Sequence, residues 1–241
     1  MTNSEKPPIH IKQVAQDLAL VLFALFGLKY LLLQFEAMWT FAGPISLVSA
    51  LAVATWRLKA SGDSWASLGF IHSSSHSKLA LWTIAASLLT LVAGILAGSI
   101  ATGLLPASQV SEQASNFAQN RFADVPGNLP VYLYWLLVSW IVGGFTEELL
   151  FRGFLINRFE KLFSKVPFSV VFAIVIQALI FGQQHMYYQG VVGLVETGII
   201  GIVSGAIYIF CGRRLWPLII SHGLVNTMGI TMIYLGNVPG A

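Results

Sequence analysis

From Leu18 onward, stretches of about 19 residues with few or no charges recur along the chain, each long enough to cross a hydrocarbon core of about 30 Å. A soluble fold of this length cannot hide that much apolar surface: 56% of the residues are hydrophobic and 10% charged, against about 45–50% and about 25% in a soluble domain. Unpaired backbone groups are too costly in lipid for anything but helices or closed barrels, and these runs lack the alternation of barrel strands. The sequence therefore predicts an all-α, polytopic transmembrane helix bundle of about seven α-helices, near 18–35, 39–56, 79–105, 131–151, 166–184, 191–210 and 215–235.

Nothing divides the chain into separate units. No polar stretch is longer than 106–130, and no repeat of 20 to 50 residues is present. Residues 1–17, with Glu5, Lys6, Lys12 and Asp17, form a polar N-terminal segment. The apolar run after it continues without a small-residue cleavage site, so it reads as a retained first helix. The net charge of +3 comes from basic residues between hydrophobic runs, without a basic patch interleaved with aromatics, so nucleic acid is not an expected partner. Cys211 is the only cysteine, which excludes an intrachain disulfide or a cysteine-based metal site.

Lys and Arg are distributed unevenly. Lys6, Lys12, Arg57, Lys59, Lys78, Arg158, Lys161, Lys165, Arg213 and Arg214 fall in one set of loops, and Arg121 alone falls in the other. That asymmetry predicts a cytoplasmic N-terminus in the cytoplasmic membrane and an external C-terminus. Gly94 with Gly98, and Gly201 with Gly205, have the spacing of close helix packing. Trp39, Trp56, Trp65, Trp82 and Trp135 near span ends read as interface anchors, and Lys29 as snorkelling to the headgroups. His10, His72 and His76 lie in polar segments and read as solvated.

The ionisable groups left at membrane depth are functional candidates, because burying them there is expensive. The fourth span ends in Glu147, Glu148 and, four residues later, Arg152. On a helix Glu148 and Arg152 pair across one turn, while Glu147 points about 100° away and is free for general-base chemistry. Taken alone, both acids could simply pair with Arg152 and a lysine such as Lys161. Phe181 and His185 follow at the far end of the fifth span, where a lone histidine is commonly just interfacial. His222 and Asn226 are four apart in the seventh span and share a face, which interhelical hydrogen bonding would also explain.

Taken together, Glu-Glu-x-x-x-Arg, Phe-x-x-x-His and His-x-x-x-Asn, in that order on three helices, resemble the CPBP family. Its members include the type II CAAX prenyl endopeptidases and bacteriocin-processing relatives. The resemblance extends through Gly201–Trp216, with Tyr208 and the turn from Gly212, and covers roughly Val131 to Thr227. It implies a catalytic helix bundle over 130–235, with 18–129 as accessory helices, and an endopeptidase acting within the bilayer. The implied substrates are membrane-associated peptides or proteins such as CAAX-type prenylated tails or peptide leaders, with membrane lipids around them. Carried over position by position, Glu147 with His185 activates a water, and His222 with Asn226 stabilises the oxyanion. Glu148 belongs to the catalytic set, with Arg152 and Phe181 as structural support. The chemistry agrees, since carboxylate and imidazole can share a proton abstraction while imidazole and carboxamide N–H groups suit a developing oxyanion.

No cofactor is favoured. Glu147, His185 and His222 would be the ligands if zinc were used, but the His-Glu-x-x-His signature is absent and Asn226 is a weak zinc ligand. Two other readings use the same residues. A proton or ion pathway would run through Glu147, Glu148, Glu196 and His222, but predicts repeat symmetry that the sequence lacks. A catalytically silent membrane scaffold would tolerate substitution of Glu147. Depth poses a difficulty for any shared site: His185 lies about 28 Å along its span from Val166, and His222 only about 11 Å from Leu215.

The topology is open to cysteine labelling in a Cys211→Ala background. Cysteines at positions 60 and 115 are expected to label from opposite sides, with 57–78 and 158–165 cytoplasmic; labelling of both from one side contradicts the assignment.

Overall fold

A computed structural model describes residues 11–72 and 75–237, so Glu5, Lys6 and His10 lie outside the described residues. Among those described there is no strand, and the helices are α1 (Ile11–Leu32), α2 (Glu36–Ala60), α3 (His76–Leu104), α4 (Ala107–Phe122), α5 (Leu129–Leu162), α6 (Ser169–Phe210) and α7 (Trp216–Tyr234). Five of them, α1, α2, α3, α5 and α6, are long and apolar enough to cross a membrane. The chain is an integral, all-α membrane bundle.

The spans differ in detail from those expected. Two of them, 166–184 and 191–210, are the two halves of α6, which breaks at Gly190 with φ 64°. A side chain at that φ would be strained, so glycine permits the reversal. The halves then pack closely: a Cβ on Gly201 would lie 3.0 Å from Ala178 Cα, and Gln177 Nε2 donates to the Gly201 carbonyl at 2.8 Å. The 19-residue α7 is not among the five apolar spans, since His222 and Asn226 reduce its apolarity. The stretch 106–130, read as a polar linker, contains α4, a helix in which Ala, Gln, Glu and Arg, all good formers, supply half the residues and which starts after Pro106.

The expectation of α-helix throughout also fails, because Ser139–Leu155 within α5 and Phe23–Gly27 within α1 are π-helical. Thr146 follows the widened turn, its hydroxyl donating to the Ile141 carbonyl five residues back at 2.9 Å. Such i→i+5 windings are rare and concentrate at functional sites. This one carries Glu147, Glu148 and Arg152.

Apolar packing forms two clusters. The larger gathers Val21, Leu58, Phe151, Phe154, Ile156 and Tyr208, and the smaller gathers Phe122, Val125, Trp135, Ile230 and Ile233. Trp135 is thus buried rather than an interface anchor. Lys29 is buried as well, donating to Gln183 Oε1 at 3.2 Å amid the rings of Phe26, Tyr30 and Tyr187, and does not snorkel. Aromatic faces and one amide replace the headgroups as partners for its ammonium.

The loops rich in Lys and Arg meet at one end of the bundle. Arg57 Nε donates to Asp17 Oδ1 at 2.7 Å, and Arg158 donates to Asp17 Oδ2, Asp63 Oδ2 and Ser61 Oγ at 3.0, 3.0 and 3.1 Å. Lys161 adds a 3.3 Å contact to Asp63, and Arg213 pairs with Glu160 at 2.8 Å. The Leu215 N–H donates to the Gly69 carbonyl at 3.1 Å, tying the loop after α2 to the start of α7. Burial by itself would raise the Asp63 carboxyl, but the Arg158 hydrogen bond and the Lys161 charge outweigh it and hold the group below its ordinary value.

Asp17 and Arg158 are fully buried, so Asp17→Asn is expected to cost roughly 3–5 kcal/mol by removing the acid that Arg57 and Arg158 share and leaving Asp63 as the one carboxylate on the buried Arg158, read as a lower melting temperature in detergent. Asp63 stabilises the fold above its unfolded pKa of about 3.9, and that contribution disappears as pH falls through its depressed folded value. Asp63→Asn should therefore melt lower than the parent at neutral pH and converge with it in acid. A constant difference across the acid range contradicts the assignment.

Candidate active site

The approach of α5 to α7 depends on small residues. A Cβ on Gly144 would lie 3.0 Å from the Ile219 carbonyl oxygen, one on Gly143 would lie 2.6 Å from Asn226 Nδ2, and one on Gly223 would press into the Trp140 ring at 2.5 Å. With no side chain at these three positions, the backbones come close enough for the carboxylates of α5 to reach the imidazole of α7. The Trp140 indole N–H adds a 3.0 Å bond to Thr227 Oγ1 across the same seam.

Glu148 is the hub of what results. Its Oε1 lies 3.1 Å from Arg152 Nη1 on its own helix and 2.8 Å from His222 Nδ1 on α7. Arg152 is wholly buried, with its guanidinium carbon 4.5 Å from the Phe181 ring centroid of α6. One carboxylate, one guanidinium and one ring thereby bind three helices together. Glu147, the next residue, lies with Oε2 at 3.7 Å from His222 Nε2. The two adjacent acids therefore address the two nitrogens of one imidazole, which the expected 100° divergence of an α-helix did not anticipate.

His185 comes from the first half of α6. Its Nδ1 lies 2.9 Å from the Phe181 carbonyl oxygen, so Nδ1–H donates there and Nε2 is left for other work. The Phe181 ring packs against His185 with centroids 4.7 Å apart and against His222 at 6.4 Å. Glu147, Glu148, His185, His222 and Asn226 all line one cavity of about 560 Å³, bounded by residues of both apolar clusters. The depth difficulty resolves in its shape: the cavity follows α7 from Leu218 to Ile233 and so takes in groups at different depths.

Among the described residues no group of three His, Cys, Asp or Glu side chains is arranged to hold a metal ion, and His222 has one nitrogen committed to Glu148. Sequence reasoning missed three features of the cavity: the Glu148–His222 contact, Gln184, and Arg121 from the unexpected helix α4. Tertiary contacts carry no spacing signal, although Arg121 stood out in the sequence as the one Lys or Arg in its set of loops.

Residues 129–228 match the family model of the type II CAAX prenyl endopeptidase Rce1-like proteins. The CPBP resemblance of this segment holds. The matched residues contain all three motifs, the whole of α5 and α7 as far as residue 228. An Escherichia coli protein described as an uncharacterized 24.3 kDa protein is 29% identical over 117 residues, 48% of this chain and 51% of that one, so the alignment spans about half of the relative. No solved structure matches.

Removing the hub charge should matter more to folding than removing its neighbour. Glu148→Gln is expected to destabilise the protein by roughly 3–5 kcal/mol, since it leaves Arg152 buried and unpaired, whereas Glu147→Gln should change stability by less than about 1 kcal/mol. Thermal melting of the purified variants in detergent measures the difference. Equal melting of the two would contradict the assignment, and equal melting with loss of activity only in Glu148→Gln would reverse it.

Proposed function

We propose that this chain is an intramembrane endopeptidase that hydrolyses peptide bonds of membrane-associated substrates, among them prenylated C-terminal tails or peptide leaders. The observation that carries this reading is the gathering of Glu147, His185, His222 and Asn226 from three helices on one cavity, within the segment similar to Rce1-like endopeptidases. Such an arrangement meets the geometric needs of a hydrolase, with a base, a helper and donors facing a common void.

In the proposed mechanism Glu147 and His185 Nε2 share a water and take its proton as it attacks the carbonyl carbon. Charge then develops on the carbonyl oxygen. Asn226 Nδ2–H and His222 Nε2–H stabilise it, the ring carrying both protons while Nδ1–H is held by Glu148. Glu148 and Arg152 fix the ring in position and keep α5 against α6 and α7. The proton taken from water passes to the leaving amine, which balances the hydrolysis. The N-terminus lies in the cytoplasm in this reading, with the basic end of the bundle facing it.

Mass spectrometry of membrane peptides from cells carrying the parent chain or Glu147→Gln tests the reading. New C-termini are expected with the parent and a loss of about 10²- to 10⁴-fold with the variant. Identical peptide profiles would contradict it. A proton or ion pathway would also use Glu196, which lines the same cavity, but would generate no new termini. Activity that chelator abolishes and zinc restores would overturn the metal-free step while leaving the site in place.

A further inference from the structure

A second cavity, of about 620 Å³, opens at the end of the bundle opposite the basic loops, between the start of α2, one face of α4 and the α6 reversal. None of the three motifs lines it. Its walls are polar and aromatic. Gln113, Asn116 and Asn120, spaced i, i+3 and i+7, put three carboxamides on one face of α4. Trp39, Tyr187 and Tyr188 supply the rings, and Glu36 is the only Asp, Glu, Lys or Arg among the described lining residues.

Several of these groups are fixed before anything binds. Tyr187 Oη accepts from Arg121 Nη1 at 3.0 Å, its ring meets Trp39 edge to face at 5.6 Å, and a Cβ on Gly43 would lie 2.6 Å from that oxygen. Gln113 Oε1 accepts from the Val192 N–H at 3.0 Å, which ties α4 to the second half of α6 and leaves Nε2 as a donor.

Charge and donor set restrict the occupant. A lone carboxylate among aromatic residues attracts a cation and repels an anion. Carboxylate and amide oxygens accept N–H hydrogen bonds, so a primary ammonium satisfies them where a trimethylammonium, which has no N–H, does not. The carboxamide N–H groups of Asn116 and Asn120 remain, and they suit a phosphodiester next to that ammonium. Depth agrees with a lipid, since aromatic residues at span ends sit at the headgroup level. In sequence Glu36 stands between Phe35 and Met38, both exposed, so apolar surface for acyl chains flanks the carboxylate.

We propose that this cavity holds the headgroup of an ethanolamine phospholipid, with Glu36 binding the ammonium, Asn116 and Asn120 the phosphodiester, and Trp39 and Tyr187 packed against both. Tyr187 and Tyr188 also line the catalytic cavity, so the headgroup and the catalytic groups share two rings as a common wall. The site stands whether or not the chain is an endopeptidase.

The test is lipid binding to the full-length, detergent-purified protein, read by native mass spectrometry during titration with dioleoyl phosphatidylethanolamine, phosphatidylcholine or phosphatidylglycerol. The parent is expected to bind the ethanolamine lipid about ten- to a hundredfold more tightly than either of the others, the range of one charge-assisted hydrogen bond. Glu36→Gln should abolish that preference and Glu36→Asp should keep part of it. Glu36 is exposed, so both variants should melt like the parent. Asn116→Leu combined with Asn120→Leu should weaken the ethanolamine and choline lipids alike, and Glu196→Gln, in the catalytic cavity, should keep the whole preference. Equal binding of the three lipids, tighter binding of phosphatidylglycerol, a preference that survives Glu36→Gln, or one lost in Glu196→Gln would each overturn the proposal. Displacement of the lipid by water-soluble glycerophosphoethanolamine at matched concentration would overturn the lipid assignment, because the headgroup alone would then account for binding.

Discussion

Glu148 Oε1 forms an ion pair with Arg152 Nη1 at 3.1 Å and accepts from His222 Nδ1 at 2.8 Å, at a point where solvent does not reach. A buried ion pair is a weak source of net stability, because desolvation offsets much of the attraction, but losing one partner is costly. The contact therefore acts as a constraint on geometry. Arg152 fixes the carboxylate, the carboxylate fixes the His222 ring, and the ring presents Nε2 toward Glu147. The Phe181 face under the guanidinium extends the constraint to α6 and, four residues on, to His185. Residues expected to serve as support thus orient the groups expected to do chemistry.

The two ends of the bundle divide the remaining work. The basic end is dense with paired charges around Asp17, Arg158 and Asp63, and with the apolar packing of Phe151, Phe154 and Tyr208. The opposite end is more open, with the α6 reversal at Gly190, the polar helix α4 and a cavity reaching Ile233. A rigid end paired with an open one suits a protein that must hold a site while admitting a polypeptide. The π-helical stretch lies between them and carries Glu147 and Glu148, both of which reach His222 of α7.

Much of this was legible in the sequence, for physical reasons. Uncharged runs long enough to span a bilayer leave helices as the available structure, and intramembrane Glu147, Glu148, His185 and His222 stand out because lipid penalises them. The ordered motifs led to the family whose model matches 129–228. What escaped depends on tertiary contact. The period assumed for an α-helix sent Glu147 away from Glu148, whereas both carboxylates reach the one imidazole of His222. Lys29 looked like a snorkelling residue because its distance from the span end was visible while the rings of Phe26, Tyr30 and Tyr187 around it were not. Helix α4 was hidden by its polarity, which in a membrane protein reads as loop.

The central claim is that the constellation around His222 directs water onto a peptide carbonyl. Incubation of the purified protein with a membrane-associated peptide in heavy-oxygen water tests it most directly, with the new C-terminus read by mass spectrometry. One heavy oxygen in the carboxylate of the released fragment, with none in fragments from Glu147→Gln, is the result the account predicts. Intact peptide after full turnover times, or equal incorporation by the parent and Glu147→Gln, would contradict it.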